Sequence, residues 1–236
     1  MKSKILELIK SFPLLAKFLR MLRRNTFLKV QYKRFITGKG NKLRIDESAL
    51  FLKCKFDIIG NNNEIIIEES TLFNNVTFNI RGNNNMIWIS KKVAFNKGGL
   101  LYIEDENCEI KIGERTTFED VHLAVTEPKS KITIGEDCMF AYDIDLRTGD
   151  SHSILDSTTM KRTNYARNVE IDDHVWVASH VSILKGVKLL KNTVVAIRSV
   201  VTKSFEKEGV LIGGTPVKVL KEGITWDRKR IYENSV

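Results

Sequence analysis

The 236-residue sequence lacks any run of about 18 apolar residues, the length that a membrane-spanning helix needs. Its N-terminus has neither a clean apolar stretch nor a small-residue cleavage site, so no secretory signal is expected. Only three cysteines are present, scattered and without a CxxC pair, which argues against a disulfide framework or a zinc site and for a reducing compartment. These absences, with 42% apolar and 28% charged residues, predict a globular cytoplasmic protein.

Acidic residues are nearly absent from the first part of the chain. Residues 1–44 hold thirteen Lys and Arg against one Glu, whereas the rest holds 25 basic and 28 acidic residues. The net charge of +9 therefore belongs to the N-terminal segment, which argues against a nucleic-acid-binding domain. Residues 2–24 carry apolar side chains roughly on one helical side, so we predict an amphipathic helix that Pro13 kinks or divides. Residues 1–24 would either make peripheral contact with an anionic membrane or pack on the first coil of the following domain.

Internal repeats organise the remaining sequence. A period near 22 residues is too short for helical-hairpin repeats of about 33–47 residues and indicates one solenoid coil per repeat. Five segments end in Phe, which predicts a stacked aromatic column inside the solenoid. Asn runs at 61–63 and 83–85 are predicted coil corners, because Asn tolerates left-handed backbone. Six segments, starting 22, 22, 23, 22 and 37 residues apart, define the repeat: IDESALF (45–51), IEESTLF (67–73), ISKKVAF (89–95), IGERTTF (112–118), IGEDCMF (134–140) and IDDHVWV (171–177).

The period tightens to six towards the C-terminus. Residues six apart do not stay on one face of an α-helix, whereas in short strands residues i and i+4 share one face. Three hexads make a triangular coil of 18 residues, and coils stack through parallel backbone hydrogen bonds. The pattern therefore predicts an all-β solenoid. The residues that carry it are large aliphatics six apart, namely Ile171, Val177, Ile183, Leu189, Val195 and Val201.

The 37-residue spacing equals one 22-residue coil with fifteen residues added. The added residues lie between Phe140 and Ile171 and are mostly polar, and we place the inserted loop at about 146–168. Long excursions from a rigid scaffold are usually functional. The chain is accordingly divided into a basic helical segment at 1–40, a β-helix domain at 41–204 and a C-terminal turn and capping tail at 205–236.

The hexads DDHVWVASHVSILKGVKLLKNTVVAIRSVVTKSF and the following GGTPVKVLKEGITW resemble the C-terminal half of hexapeptide-repeat acyltransferases. The segment DIDLRTGDSHSILD is similar to one in capsule and lipopolysaccharide O-acetyltransferases, including those that act on polysialic acid. The resemblance is good over residues 110–226, generic over 45–110 and absent over 1–44. It implies a left-handed parallel β-helix, a homotrimer with active sites between subunits, and coenzyme A lying along the C-terminal coils.

His152, in the inserted loop, is the candidate general base. Acyl transfer to a hydroxyl needs a base for the hydroxyl proton, and a neutral imidazole can accept it. From position alone His152 would be an incidental loop histidine, and the resemblance is what makes catalysis the favoured interpretation. Asp150 and Asp145 are candidates for orienting its ring or for receiving acceptor hydroxyls.

Other candidates would hold the two substrates. Trp176, Arg147 and His174 are predicted acceptor contacts, and packing between subunits is the alternative for Trp176. The slender pantetheine arm needs small corner residues, which predicts Ala178 and Ala196. The nucleotide phosphates need cations, which predicts three residues that could equally be solvated surface charges: Arg198, Lys203 and Lys218.

These features together predict an acetyl-CoA-dependent O-acetyltransferase that acts on a cell-surface polysaccharide or its sugar precursor. No metal is expected, because His174 and His180 stand six apart at equivalent outward positions rather than in a ligand cluster. Two alternatives stay open: an acetyltransferase for a small molecule such as serine or a nucleotide sugar, and a non-catalytic β-helix used for binding or scaffolding.

Overall fold

A computed structural model of the chain describes residues 32–232. The predicted N-terminal helix and its membrane contact fall outside these residues. Within 32–232 the backbone forms strands, turns and bends without any α-helix, and no helix there could cross a bilayer. The strands, numbered in chain order, form three sheets that successive coils visit in turn.

The first sheet has eight strands, all parallel, in the order β1 (Tyr32–Thr37), β4 (Cys54–Ile59), β7 (Val76–Arg81), β10 (Gly99–Glu104), β13 (Val121–Val125), β16 (Ile144–Arg147), β19 (Ser182–Ile183) and β22 (Val200–Val201). The second has seven parallel strands, in the order β2 (Lys42–Ile45), β5 (Glu64–Ile67), β8 (Met86–Ile89), β11 (Glu109–Ile112), β14 (Lys131–Ile134), β17 (Val169–Ile171) and β20 (Lys188–Leu189).

The third sheet has nine strands, and its final pair is antiparallel. In chain order it contains β3 (Leu50–Leu52), β6 (Leu72–Asn74), β9 (Ala94–Phe95), β12 (Thr117–Phe118), β15 (Met139–Phe140), β18 (Trp176–Val177), β21 (Val194–Val195), β23 (Val210–Gly214) and β24 (Val217–Glu222). Every other pairing is parallel between equivalent strands of neighbouring coils, so the predicted solenoid is confirmed.

The predicted aromatic column is present in the prism interior. Its rings stack face to face, with centroid distances of 5.0, 5.4, 4.5 and 4.8 Å along the column. A second pair, Phe56 and Phe78, stacks at 4.6 Å on the adjacent wall and was not predicted. Because coils stack in register, each ring lies on its equivalent from the next coil. The column consists of Phe51, Phe73, Phe95, Phe118 and Phe140.

The asparagine runs form corners, as predicted. Asn62 and Asn84 both have a φ of 56°, in the left-handed region. The next residues, Asn63 and Asn85, are buried. They form a hydrogen-bonded ladder between coils, in which Asn63 Oδ1 accepts from the Asn85 backbone N–H at 3.0 Å. Side-chain amides therefore satisfy backbone groups that a corner would otherwise leave unpaired.

Two predicted boundaries differ from the structure. Strand β1 pairs with β4 from Tyr32 onward, so the β-helix includes residues before the predicted start at 41. At the other end, β23 continues the third sheet by pairing with β21, so regular structure extends past the predicted end at 204. The six- and 22-residue patterns missed both segments because their inward residues depart from the repeat.

Candidate active site

The inserted segment is a hairpin that leaves the prism after β16 and returns at β17. It covers residues 148–168, close to the predicted 146–168. Leu155 and Arg162 form an antiparallel bridge, and the Thr163 N–H donates to the Ile154 carbonyl at 2.8 Å. At the tip, the Asp156 carboxylate accepts backbone N–H groups from the residues that follow it. The insertion therefore has defined structure of its own.

His152 lies on the outgoing arm of this hairpin and is exposed. Its backbone N–H donates to the Asp150 carbonyl at 2.8 Å, and its carbonyl accepts from the Asn164 side-chain amide at 2.8 Å. Among residues 32–232 no hydrogen bond or ion pair engages its imidazole. The main chain of His152 is thus held while its ring faces solvent, as a base that receives an incoming hydroxyl requires.

Asp150 supports the hairpin rather than the His152 ring. Its Oδ2 pairs with the Lys185 ammonium and accepts the Asn164 amide at 2.8 Å. The hydrogen bond from Lys185 holds the pKa of Asp150 below its ordinary value and, with the bond from Asn164, outweighs the opposing effect of burial. Asp150 is therefore ionised at neutral pH, and the structure shows no hydrogen bond from it to the imidazole.

Asp145 is paired with a different histidine from the one expected. Its Oδ1 lies 3.0 Å from Nδ1 of His122 one coil earlier, and its Oδ2 accepts Nε of Arg147 at 2.5 Å. Burial raises the pKa of Asp145, but the hydrogen bonds from His122 and Arg147 outweigh it and hold the pKa below its ordinary value. The predicted orientation of His152 by Asp145 is not present in the structure.

Arg147 and a second arginine flank the hairpin. Arg147 stays partly exposed on the outer face of β16 beside Asp145, so it remains accessible to an acceptor. Arg162 on the returning arm makes a two-pronged pair with Glu127, at 3.0 and 2.5 Å. Such bidentate pairs fix geometry as well as charge, and this one ties the hairpin to the end of β13.

Trp176 and His174 contact the C-terminal tail. Trp226, 8% exposed, stacks on His174 with a centroid distance of 4.2 Å and lies 6.1 Å from the Trp176 ring. Both nitrogens of His174 are engaged, Nδ1 with Asp137 at 3.0 Å and Nε2 with the Trp226 carbonyl at 2.9 Å. His174 therefore holds the tail in this structure, which leaves it no free nitrogen for an acceptor.

The tail runs back along the side of the prism. Arg228 donates to Asp137 Oδ1 at 2.9 Å, to Thr117 Oγ1 at 2.9 Å and to the Cys138 carbonyl at 2.8 Å. The predicted cap on the last coil is therefore a strap across earlier coils. Trp226 and Arg228 are the residues that fasten it beside Trp176.

A column of small residues marks one corner of the C-terminal coils. Ala178 and Ala196 directly follow β18 and β21. They occupy equivalent positions in neighbouring coils, since the Ala178 N–H donates to the Val195 carbonyl at 3.0 Å. Gly213 continues the column, because a Cβ there would come within 2.9 Å of the Ala196 side chain. Ala141 precedes them one coil earlier. Ala178 and Ala196 are partly exposed, as a slender chain lying against this corner would require, whereas Gly213 is buried beside Leu220.

The three predicted phosphate ligands are exposed. Arg198, Lys203 and Lys218 have no acidic partner among residues 32–232. Lys218 lies opposite Gly213 in the antiparallel β23–β24 pair, next to the small-residue column. Lys203 lies over the Phe205 ring at 5.6 Å. These positions allow contact with an anionic ligand at the C-terminal end of the prism.

Within one chain, His152 and Trp176 lie on different parts of the prism. His152 lies on the hairpin between the first and second sheets, whereas Trp176 lies in the third sheet. No ring contact or hydrogen bond joins them in the described part of the chain. Among residues 32–232, no cluster of three His, Cys, Asp or Glu is arranged to hold a metal.

Sequence reasoning did not assign to three residues the roles that the structure gives them at this site. His122 could have been found, because the coil period places it directly beside Asp145. Asn164 and Trp226 carry no repeat signal, since one lies in the insertion and the other in the tail. Their positions depend on how non-repetitive chain packs on the prism.

The three-sheet parallel prism defines a class of solenoid proteins, and known proteins share this fold. The chain is 36% identical over 126 residues to a polysialic acid O-acetyltransferase of Escherichia coli O1:K1 / APEC, and 34% identical over 134 residues to one of Neisseria meningitidis. These alignments cover 53% and 57% of this chain but 40% and 62% of the relatives, less than two thirds of either. No family model matches the chain.

A solved structure extends the likeness over the whole prism. The polysialic acid O-acetyltransferase OatWY superposes with a TM-score of 0.81 at 31% identity, covering 86% of this chain and 95% of that one. The fold is accordingly the left-handed parallel β-helix that the resemblance implied. The chain belongs to the hexapeptide-repeat acyltransferase family, in the group that contains the polysialic acid O-acetyltransferases.

Proposed function

We propose that this protein transfers an acetyl group from acetyl-CoA to a hydroxyl of a polysaccharide of the polysialic acid kind. The observation that carries the proposal is the unengaged imidazole of His152 on a hairpin that the prism holds in place. Family membership supplies the reaction class, and the names of the relatives supply the acceptor class. The acceptor is an acidic glycan rich in free hydroxyls.

The reaction is direct transfer. The acceptor oxygen attacks the thioester carbonyl while its proton passes to the free imidazole of His152. The carbon–sulfur bond then breaks, and the imidazolium returns a proton to the departing thiolate. An acetyl ester and coenzyme A are the products, so no covalent enzyme intermediate is needed. The three cysteines suit this route, because all are buried and burial raises the pKa of Cys138 to about 12.

The two substrates approach from opposite directions in this proposal. The pantetheine arm lies along the partly exposed corner formed by Ala178 and Ala196, and the cations at the C-terminal end neutralise the nucleotide phosphates. The thioester then lies near Trp176. Arg147 provides a positive charge for an acidic acceptor on the face that leads into the hairpin.

An acceptor panel tests the proposal. With acetyl-CoA as donor, release of free thiol is expected to be fastest with polysialic acid and much slower with serine, a galactoside or a nucleotide sugar. Mass spectrometry of the glycan should show additions of one acetyl group per modified residue. Preference for a small molecule would indicate the second enzyme class, and no transfer together with no binding of coenzyme A would indicate a non-catalytic β-helix.

We also propose a homotrimer whose active sites lie between subunits. Its support is the separation of His152 and Trp176 within one chain. A neighbouring subunit could place its own Trp176 beside the His152 hairpin. Apolar side chains exposed on the hairpin would be covered by that neighbour: Ile154, Leu155, Met160 and Tyr165. Light scattering is expected to give three times the chain mass of 27.0 kDa, whereas a stable monomer at micromolar concentration contradicts the proposal.

The contact of residues 1–24 with an anionic membrane remains a prediction, as does a cytoplasmic location at its inner face. Its support is the basic composition of that segment. Polybasic segments gain about 1 kcal/mol per Lys or Arg near such a surface.

A further inference from the structure

One buried asparagine holds the outgoing arm at His152 and at a residue on each side of it. Asn164, 8% exposed, donates from Nδ2 to the Asp150 carboxylate and to the His152 carbonyl, both at 2.8 Å. Its Oδ1 accepts the Ile154 backbone N–H at 2.7 Å. One planar amide thus binds three alternate residues of the outgoing arm, with His152 in the middle.

The asparagine is itself tied to the prism. Its own carbonyl accepts the Lys185 ammonium at 3.0 Å, and Arg162 donates to its Oδ1 at 3.2 Å. Arg162 in turn pairs with Glu127, and Lys185 with Asp150. Through these contacts, Asn164 links the main chain of His152 to residues of the rigid coils. An amide offers two donors and two acceptor sites on one short side chain, and an isosteric Asp lacks the donors.

We propose that Asn164 is a positioning residue that sets where the His152 imidazole meets the acceptor hydroxyl. This inference rests on the proposed role of His152 as the base. Proton transfer requires the base within hydrogen-bond reach of the hydroxyl, and a misplacement of about 1 Å can cost about a hundredfold in rate. No hydrogen bond joins Asn164 to the ring, so its effect passes through the backbone.

Asn164→Ala is expected to lower kcat by about 10- to 100-fold with polysialic acid, while the KM for acetyl-CoA stays unchanged. Asn164→Asp should lose at least as much, because it lacks both donors and places a second carboxylate beside Asp150. Thr163→Ala is the matched control. It also removes one hairpin hydrogen bond, from Thr163 Oγ1 to the Ile154 carbonyl at 3.0 Å, but none to His152.

A double-mutant cycle separates positioning from general folding of the hairpin. If Asn164 acts through the imidazole, Asn164→Ala should cost nothing further in a His152→Ala background. An equal loss in both backgrounds, or wild-type kcat in Asn164→Ala alone, overturns the inference. Wild-type activity in His152→Ala alone would instead contradict the proposed function.

Hydrogen exchange tests whether the hydrogen bonds of Asn164 hold the outgoing arm, and it needs no acceptor. The peptide covering residues 150–156 should exchange faster in Asn164→Ala than in Thr163→Ala, while peptides from the prism strands are unchanged. Equal exchange in the two variants would show that Asn164 does not hold this arm, and that result overturns the inference whatever the substrate is.

Discussion

His152→Ala is expected to reduce turnover at least about a hundredfold, since a placed general base typically contributes about 10²–10⁴-fold. Water would have to take the hydroxyl proton instead, and it is a weaker and poorly placed base. The imidazole contacts nothing in residues 32–232 that holds the fold, so thermal stability and affinity for coenzyme A should be retained. Steady-state kinetics with acetyl-CoA and polysialic acid should place the loss in kcat, with the KM for acetyl-CoA unchanged.

His180→Ala is the matched control for this variant. His180 is also exposed, but it lies on a regular coil and pairs with Asp143 at 2.8 Å, away from the hairpin. Its replacement should leave turnover near the wild-type value. Near wild-type turnover in His152→Ala with an acceptor that the wild-type enzyme acetylates would place the base elsewhere. A comparable loss in both variants would point to disruption of the fold instead.

The coils could be predicted from sequence because residues one repeat period apart lie side by side in neighbouring stacked coils. Phe118 and Phe140 are one period apart, and the structure places one ring directly on the other. Even the insertion was visible, as a longer interval before Ile171. Only inward residues reveal this period. Tyr32 lies one 22-residue period before the first residue of β4, but strand β1 precedes the first segment that ends in a column Phe, and Val210 lies outside the six-residue period, so the sequence pattern places both in the flanking segments.

The side-chain partners at the site could be predicted only where the period reached them. His122 and Asp145 are neighbours through coil register, so the repeat alone could predict their contact. The links from Asn164 to His152 and from Arg162 to Glu127 depend on the path of an inserted hairpin, and no repeat determines that path. The same holds for Trp226, whose tail folds back across the prism instead of covering its end.

Phe95→Ala is expected to destabilise the prism by about 3–5 kcal/mol, the usual cost of removing a buried Phe side chain. Its ring is fully buried and stacks on Phe73 at 5.4 Å and on Phe118 at 4.5 Å, so its removal opens a cavity between coils on both sides. In a solenoid each coil is stabilised mainly by its neighbours, and a gap at the middle of the column weakens two interfaces at once.

Urea unfolding followed by circular dichroism measures this effect as a lower midpoint with a similar slope. Phe35→Ala is the matched control, because Phe35 on β1 is 54% exposed and its loss should change stability by no more than about 0.5 kcal/mol. Equal midpoints for the two variants would mean that the stacked column contributes little beyond what surrounding aliphatic residues supply. A large loss confined to Phe95→Ala would show that the stacked column stabilises the coils from which the His152 hairpin extends.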